Sequence, residues 1–185
     1  DWYIELAKPA LYDGESKDAR ALERRRVTQG TLAHTLEKAL RLLHPFMPFL
    51  SEEIWQTLPK PVGLPASIMI TLFPNDDARF VDEGAERSMS LLMDVAVAIR
   101  NIRAEYGISP GQVMHVTLVS TSAEMRAFLS EGQGIVERAA KAKVVVAQTA
   151  GDSGAKAVVQ SDVVVVVSLE GVVDVAAETQ RLGKE

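Results

Sequence analysis

The chain has 185 residues, 47% of them hydrophobic and 24% charged, with a formal net charge of −5. This is the balance of a soluble globular protein of one or two domains and excludes collagen-like, disordered and disulfide-scaffold classes. There is no cysteine, hence no disulfide, thiolate metal site or cysteine nucleophile. His34, His44 and His115 lack HExxH spacing, so no metal site is expected. No apolar run approaches the roughly 20 residues of a membrane span. The start, Asp1-Trp2-Tyr3, lacks a methionine, a basic region and a hydrophobic signal core, and reads as the middle of something longer.

The segment Asp1 to Lys8 places Trp2 and Leu6 four apart and meets Pro9, which predicts the end of a helix there. Tyr12-Asp13-Gly14 is then a turn. A long helix follows, capped by Ser16 or Asp18 and carrying Leu22, Leu32, Leu36, Leu40 and Leu43. Gly30 is its weak point, and Pro45 predicts its end by His44. Phe46, Met47, Phe49 and Leu50 make an apolar corner, and Ser51 caps a short helix with Glu52 and Glu53 in its first turn, running to about Leu58. Pro61, Gly63 and Pro65 mark a loop, and Ile68 to Phe73 an extended segment stopped by Pro74. Asp82 opens a helix over 83–106, with Met89, Leu92, Met93, Ala96, Ile99, Ile102 and Arg103 along one face and Gly107 at its end.

Near Ser109-Pro110-Gly111 the helical period gives way to β-branched runs. The pattern predicts a strand over 113–119, a helix in two pieces over 122–129 and 134–140, and a strand over 144–148. A turn over 151–154 leads to extended runs over 155–160 and 163–169, and another helix starts at Asp174. The expected fold class is α+β, a truncated antiparallel helical bundle over 1–112 followed by a small mixed α/β domain over 113–173 and the start of a further helix over 174–185.

No nucleophile–base pair, phosphate loop or paired acids emerge, so no catalytic centre is expected. Gly151-Asp-Ser-Gly154 and Gly132-Gln-Gly134 read as loops. Charge, by contrast, is local. Between Lys17 and His44 stand seven cations, Lys17, Arg20, Arg24, Arg25, Arg26, Lys38 and Arg41, against the carboxylates Asp18, Glu23 and Glu37. Glu23-Arg24-Arg25-Arg26 is either an anion site, since guanidinium offers phosphate a planar fork of donors, or a solvated helix face. Arg100 and Arg103, one turn apart, face either phosphate or a buried acid such as Glu105 or a carboxylate on a neighbouring helix. His44 is suited to capping the last carbonyls of its helix. Trp2, Tyr3, Phe46, Phe49 and Trp55 read as core, although neighbouring helix positions point about 100° apart, which leaves Trp2 or Tyr3 free for a base or another partner.

Three strings carry a family resemblance: Asp1-Trp-Tyr-Ile-Glu-Leu-Ala-Lys-Pro9, His44-Pro-Phe-Met-Pro-Phe-Leu-Ser-Glu-Glu-Ile-Trp-Gln56 and Ile99-Arg-Asn-Ile-Arg-Ala-Glu-Tyr-Gly-Ile-Ser-Pro-Gly111. Together they resemble the valyl-tRNA synthetase family of class I aminoacyl-tRNA synthetases. The resemblance implies an anticodon-binding helical bundle, an α/β domain and the first turns of a C-terminal coiled coil. It further implies a cytoplasmic, monomeric parent enzyme that ligates valine to tRNA with ATP. Signatures of the HIGH and KMSKS type and the editing domain are absent here, so the chain alone is expected to be non-catalytic and to need no cofactor, ATP belonging to the catalytic domain. The expected partner is a tRNA with a valine anticodon, and loss of upstream helices would expose apolar surface through which the fragment self-associates.

By the same resemblance Trp2, Ile4, Glu5 and Lys8 lie beside the anticodon. The chemistry suits them, because unstacked bases are read by apolar contact and by acceptors for exocyclic amines: Ile4 fits a base face and Glu5 a cytosine amine. Lys8, Arg24 and Arg25 would neutralise phosphates, a salt-sensitive contribution without sequence information. Two alternatives stand beside this reading, the same region of an isoleucyl-type synthetase and a helical protein-interaction module.

Overall fold

The computed structural model describes residues 2–12, 18–60, 63–151, 154–160 and 162–169. The expected Asp13-Gly14 turn, the Ser16 cap and the helix over 174–185 lie outside the described residues. The chain divides into two compact units, Asp1–Val81 and Asp82–Glu185.

In the first unit α1 (Trp2–Tyr12) continues through Pro9, where the sequence predicts a stop. Proline removes a helical donor and crowds the preceding turn, at a cost of about 3 kcal/mol. Packing overrides that cost: Ala7 is buried, and Leu6, Ala10 and Leu11 are half-buried where α1 meets α2 (Ala19–Leu43). Asp18 caps α2, its side chain accepting from the Arg20 N–H at 3.3 Å. Of the predicted apolar stripe only Leu40 is buried; Leu22, Leu36 and Leu43 are exposed.

The next helix, α3 (Pro48–Thr57), starts at Pro48 and not at Ser51, because proline's fixed φ suits a first helical position that has no partner for its N–H anyway. Ser51 is therefore inside the helix and buried, donating to the Met47 carbonyl at 2.7 Å. Glu52 leaves the helix-dipole role expected of it and accepts from the Ser67 hydroxyl and the Ile68 N–H, each at 3.0 Å. That grip, with the Ser67 hydroxyl accepting from the Met69 N–H at 3.2 Å, turns the predicted extended segment into a 3-10 turn over Ile68–Ile70. Trp55, Leu40 and Ile68 form the small core of this unit.

The second unit opens with α4 (Glu83–Glu105), capped as predicted by Asp82, whose side chain accepts from the Ala85 N–H at 2.9 Å. Tyr106 and then Gly107, at φ +60°, close it. The helical period groups this helix with the preceding ones; in the structure it packs on α5 (Ala123–Ala140) and on the sheet. The sheet holds β1 (Met114–Val119), β2 (Ala142–Ala147), β3 (Ala155–Val159) and β4 (Val163–Val167) in the order β2-β1-β4-β3. β1 and β2 are parallel, Val116 opposite Val144, and the other pairs are antiparallel, Leu118 opposite Val165 and Ala157 opposite Val165. The mixed α+β content expected from the sequence is thus observed.

The predicted break at Gly132 and Gly134 is absent, α5 being one helix. Gly132 serves close packing: a Cβ there would stand 2.6 Å from Leu92 Cδ2 on α4. Arg100 and Arg103 both donate to backbone carbonyls. Arg100 donates to the Ala139 carbonyl at 2.6 and 3.0 Å, and Arg103 to the carbonyls of Ala140 and Lys141 at 3.1 Å and of Ser109 and Gln112 at 2.8 and 2.9 Å. The last carbonyls of a helix lack intrahelical donors and carry partial negative charge, so two cations at the end of α5 tie α4 to it.

Candidate nucleic-acid interface

The outward face of α1 carries the expected anticodon residues. Ile4, 57% exposed, Lys8 and Tyr12 recur at intervals of four and therefore share one row of the helix, with Glu5 and Pro9 beside them, all exposed. Lys8 Nζ donates to Glu5 Oε1 at 2.6 Å, and that hydrogen bond is the main cause holding the ammonium above its ordinary pKa. A carboxylate can accept about four hydrogen bonds, so the pairing occupies one oxygen of Glu5 and orients the other. Pro9 has no N–H to offer the Glu5 carbonyl four residues earlier, which leaves a second acceptor at the same position. The face is thus nearly neutral in charge and rich in acceptors, with apolar Ile4 and aromatic Tyr12 at its ends.

Of the neighbouring pair, Trp2 is half-buried and Tyr3 exposed, so the ring turned outward is that of Tyr3. Tyr12 was not expected here, because Pro9 reads as the helix end; the signal that finds it is the spacing of four from Ile4 through Lys8 to Tyr12.

The basic cluster at the start of α2 is divided by pairing. Arg26 forks onto Glu23 with Nε and one terminal nitrogen each at 3.0 Å from a carboxylate oxygen, and Glu23 is held below its ordinary pKa by that hydrogen bond. Among the described residues, Arg24 and Arg25 have no carboxylate within ion-pair distance. These two remain able to meet phosphate.

Farther along α2, Glu37 joins two elements. It accepts from the Trp55 indole N–H at 3.2 Å and from Arg41 at 2.7 Å, while Arg41 also donates to the Leu72 carbonyl at 3.1 Å. Lys60 Nζ lies 3.9 Å from the centroid of the Trp55 ring. Trp55 is core, as predicted. Phe46 and Phe49 are not, at 83% and 90% exposed: Phe46 sits in the turn that precedes α3, and Phe49 in the first turn of that helix, facing outward. The His44 imidazole pairs with a side chain of the next helix, its Nδ1 lying 2.8 Å from the Ser51 hydroxyl oxygen. Among the described residues no three His, Asp or Glu converge as metal ligands, and no helix is long and apolar enough to cross a membrane.

Comparison with known proteins joins these surfaces to a family. Residues 1–118 match the family model described as the anticodon-binding domain of tRNA ligase, a match that runs through the first unit into α4 and β1. Over its whole length the chain is 35% identical to a valine–tRNA ligase of Symbiobacterium thermophilum and 38% identical to one of Synechocystis sp.. It covers 22% and 20% of those proteins, about a fifth of their length. The chain belongs to the family of tRNA-ligase anticodon-binding domains.

Proposed function

We propose that the chain is the anticodon-reading portion of a cytoplasmic valine–tRNA ligase, recognising a tRNA with a valine anticodon while activation of valine with ATP takes place in a catalytic domain elsewhere in the protein. The observation that carries this reading is the exposed α1 face of Ile4, Glu5 and Lys8 inside the family match. An unpaired anticodon base lays its face on Ile4 and gives its exocyclic amine to the Glu5 oxygen that Lys8 leaves free. Trp2 lies at the start of the same helix and borders the site. Lys8, Arg24 and Arg25 meet flanking phosphates. The region over 1–112 acts as the anticodon-binding helical bundle, and the α/β domain expected over 113–173 as a spacer.

The test is binding of the chain to a tRNA with a valine anticodon and to the same tRNA with altered anticodon bases, across a salt series. Glu5→Ala removes a charged acceptor, worth roughly 2 kcal/mol, and is expected to reduce discrimination between the two RNAs about thirtyfold while leaving the salt slope unchanged. Arg24→Ala is expected to weaken both RNAs alike and to flatten the salt dependence. Unchanged discrimination in Glu5→Ala would remove the anticodon role from α1.

A further inference from the structure

On α2, one flank is an open groove of about 650 Å³ lined by Gly30, Thr31, His34, Lys38, Leu42 and Phe80. The His34 ring lies 5.7 Å from the Phe80 ring, and Lys38 Nζ 5.5 Å from the Phe80 centroid. Phe80 is 68% exposed, so this aromatic is presented and not packed. A short turn, Ala78–Phe80, presents it. Asp77 caps that turn by accepting from the Arg79 N–H at 3.1 Å, and the Arg79 side chain folds back onto the same carboxylate at 2.9 and 2.7 Å. Asp77 pairs with Arg79 and also feels the charge of Lys38 and the neighbouring His34, so Asp77, Arg79 and Lys38 together leave one net positive charge at the groove.

We infer that this groove is a second RNA-contact site, in which Lys38 takes a phosphate of the tRNA strand and Phe80 stacks under an adjoining base. The inference rests on the tRNA reading above and deepens it. Charge and length support it. Arg20, Arg24, Thr31, His34 and Lys38 fall on one stripe of α2, all exposed except the half-buried Lys38. The stripe extends about 27 Å at 1.5 Å per residue, enough to follow several nucleotides. The carboxylates that would oppose a phosphate on α2 are already taken, Glu23 by Arg26 and Glu37 by Arg41. A Cβ on Gly30 would have nothing within 4 Å, so the groove is open beside His34. An exposed aromatic beside a cation is the pairing by which single strands are held without sequence preference, base on ring and phosphate on ammonium.

The experiment measures binding of the full chain to a tRNA with a valine anticodon and to its anticodon-altered counterpart, with Lys38→Ala, Lys38→Arg, Phe80→Ala and Phe80→Trp. Lys38→Ala is expected to weaken both RNAs equally and lower the salt slope by about one, with Lys38→Arg close to wild type. Phe80→Ala is expected to weaken both about tenfold or more with the salt slope nearly unchanged, and Phe80→Trp to restore binding. Ultraviolet crosslinking of RNA to the unaltered chain, mapped by mass spectrometry, is expected on the peptide containing Phe80 and does not depend on any variant folding. Wild-type affinity in Lys38→Ala and Phe80→Ala, with Glu5→Ala still blunting discrimination, would overturn this site and leave the α1 reading intact. Absence of tRNA binding by the unaltered chain would overturn both.

Discussion

Two glycines of α5, two positions apart, should respond to the same substitution with opposite signs. Alanine in a helix interior is favoured over glycine by about 1 kcal/mol, and this gain applies equally to Gly132 and Gly134. The surroundings differ. A Cβ at Gly134 meets only the Arg138 guanidinium, at 3.3 Å, the end of a flexible side chain. A Cβ at Gly132 would lie 2.6 and 2.9 Å from the two Leu92 methyl carbons, and Leu92 is 5% exposed, so it cannot swing into solvent. Overpacking of this kind costs typically 1–3 kcal/mol. Gly134→Ala is therefore expected to stabilise the second unit by about 0.5–1 kcal/mol and Gly132→Ala to destabilise it by about 1 kcal/mol. The gap is measured by urea denaturation followed by far-ultraviolet circular dichroism. Both tryptophans, Trp2 and Trp55, belong to the first unit, so their fluorescence transition should stay in place and serve as the internal control. In a Leu92→Ala background the clashing atoms are gone, and Gly132→Ala should become neutral or stabilising. Equal effects at the two glycines would refute the close approach of α4 and α5 from which the argument starts.

In the first unit Glu37→Ala leaves Arg41 and the Trp55 N–H without their shared acceptor at a site where the Glu37 and Arg41 side chains are only 12% and 18% exposed. Breaking such a pair costs about 3 kcal/mol, expected as an earlier urea midpoint in tryptophan fluorescence, with Glu37→Gln intermediate; an unchanged midpoint would mean Arg41 relaxes into water at no cost. Acid should weaken both units. Glu52 is held below its ordinary value of 4.5 chiefly by Gln56, helped by Ser67 and the Ile68 N–H, and Glu137 by the Val144 N–H and then Gln133. Because each carboxyl binds its proton less readily folded than unfolded, its stabilisation is complete above pH 4.5 and is lost as pH falls through the depressed folded value. Glu52→Gln should flatten the acid limb of the fluorescence transition and Glu137→Gln that of the circular dichroism; identical acid limbs in variant and unaltered chain would discount both carboxylates.

What was legible in the sequence was what is decided locally. Asp18 and Asp82 announce their helices because a capping carboxylate needs only the next turn of backbone, and Gly107 announces an end because its positive φ is set within the turn itself. The misses come from partners distant in sequence. Pro9 reads as a stop until the Ala7 side of α1 is seen to bury itself on α2. Gly132 reads as a break until Leu92 is placed against it, and Ile68 to Phe73 reads as extended until Glu52 takes its backbone donor. Phe46 and Phe49 read as core because apolarity alone does not reveal that one falls in the turn before Pro48 and the other on the outward side of the helix that starts there. For the candidate interface, spacing places Ile4, Glu5 and Lys8 on one helix surface. The extension to Tyr12 depends on packing that overrides a proline, and the presentation of Phe80 on a turn, the Asp77–Arg79 pair, that no periodicity records.

A net charge of −5 and a nucleic-acid interface are compatible because charge acts where it is unpaired. On α2 the side-chain pairs remove Glu23 and Glu37 from the balance together with Arg26 and Arg41, and among the described residues Arg20, Arg24, Arg25 and Lys38 have no carboxylate within ion-pair distance. On α1 the sole cation, Lys8, is tied to Glu5, so that face offers acceptors and apolar area with little net field. A surface of the first kind attracts any phosphate backbone and weakens with salt; one of the second discriminates by which donors a base presents, with Lys8 as its single salt-sensitive contact. On the function proposed for the chain, the two helices would divide affinity from selectivity. That division fixes the signature sought in the binding experiments: substitutions on α2 should move the salt slope without moving the preference for an anticodon, and Glu5 should move the preference without moving the slope.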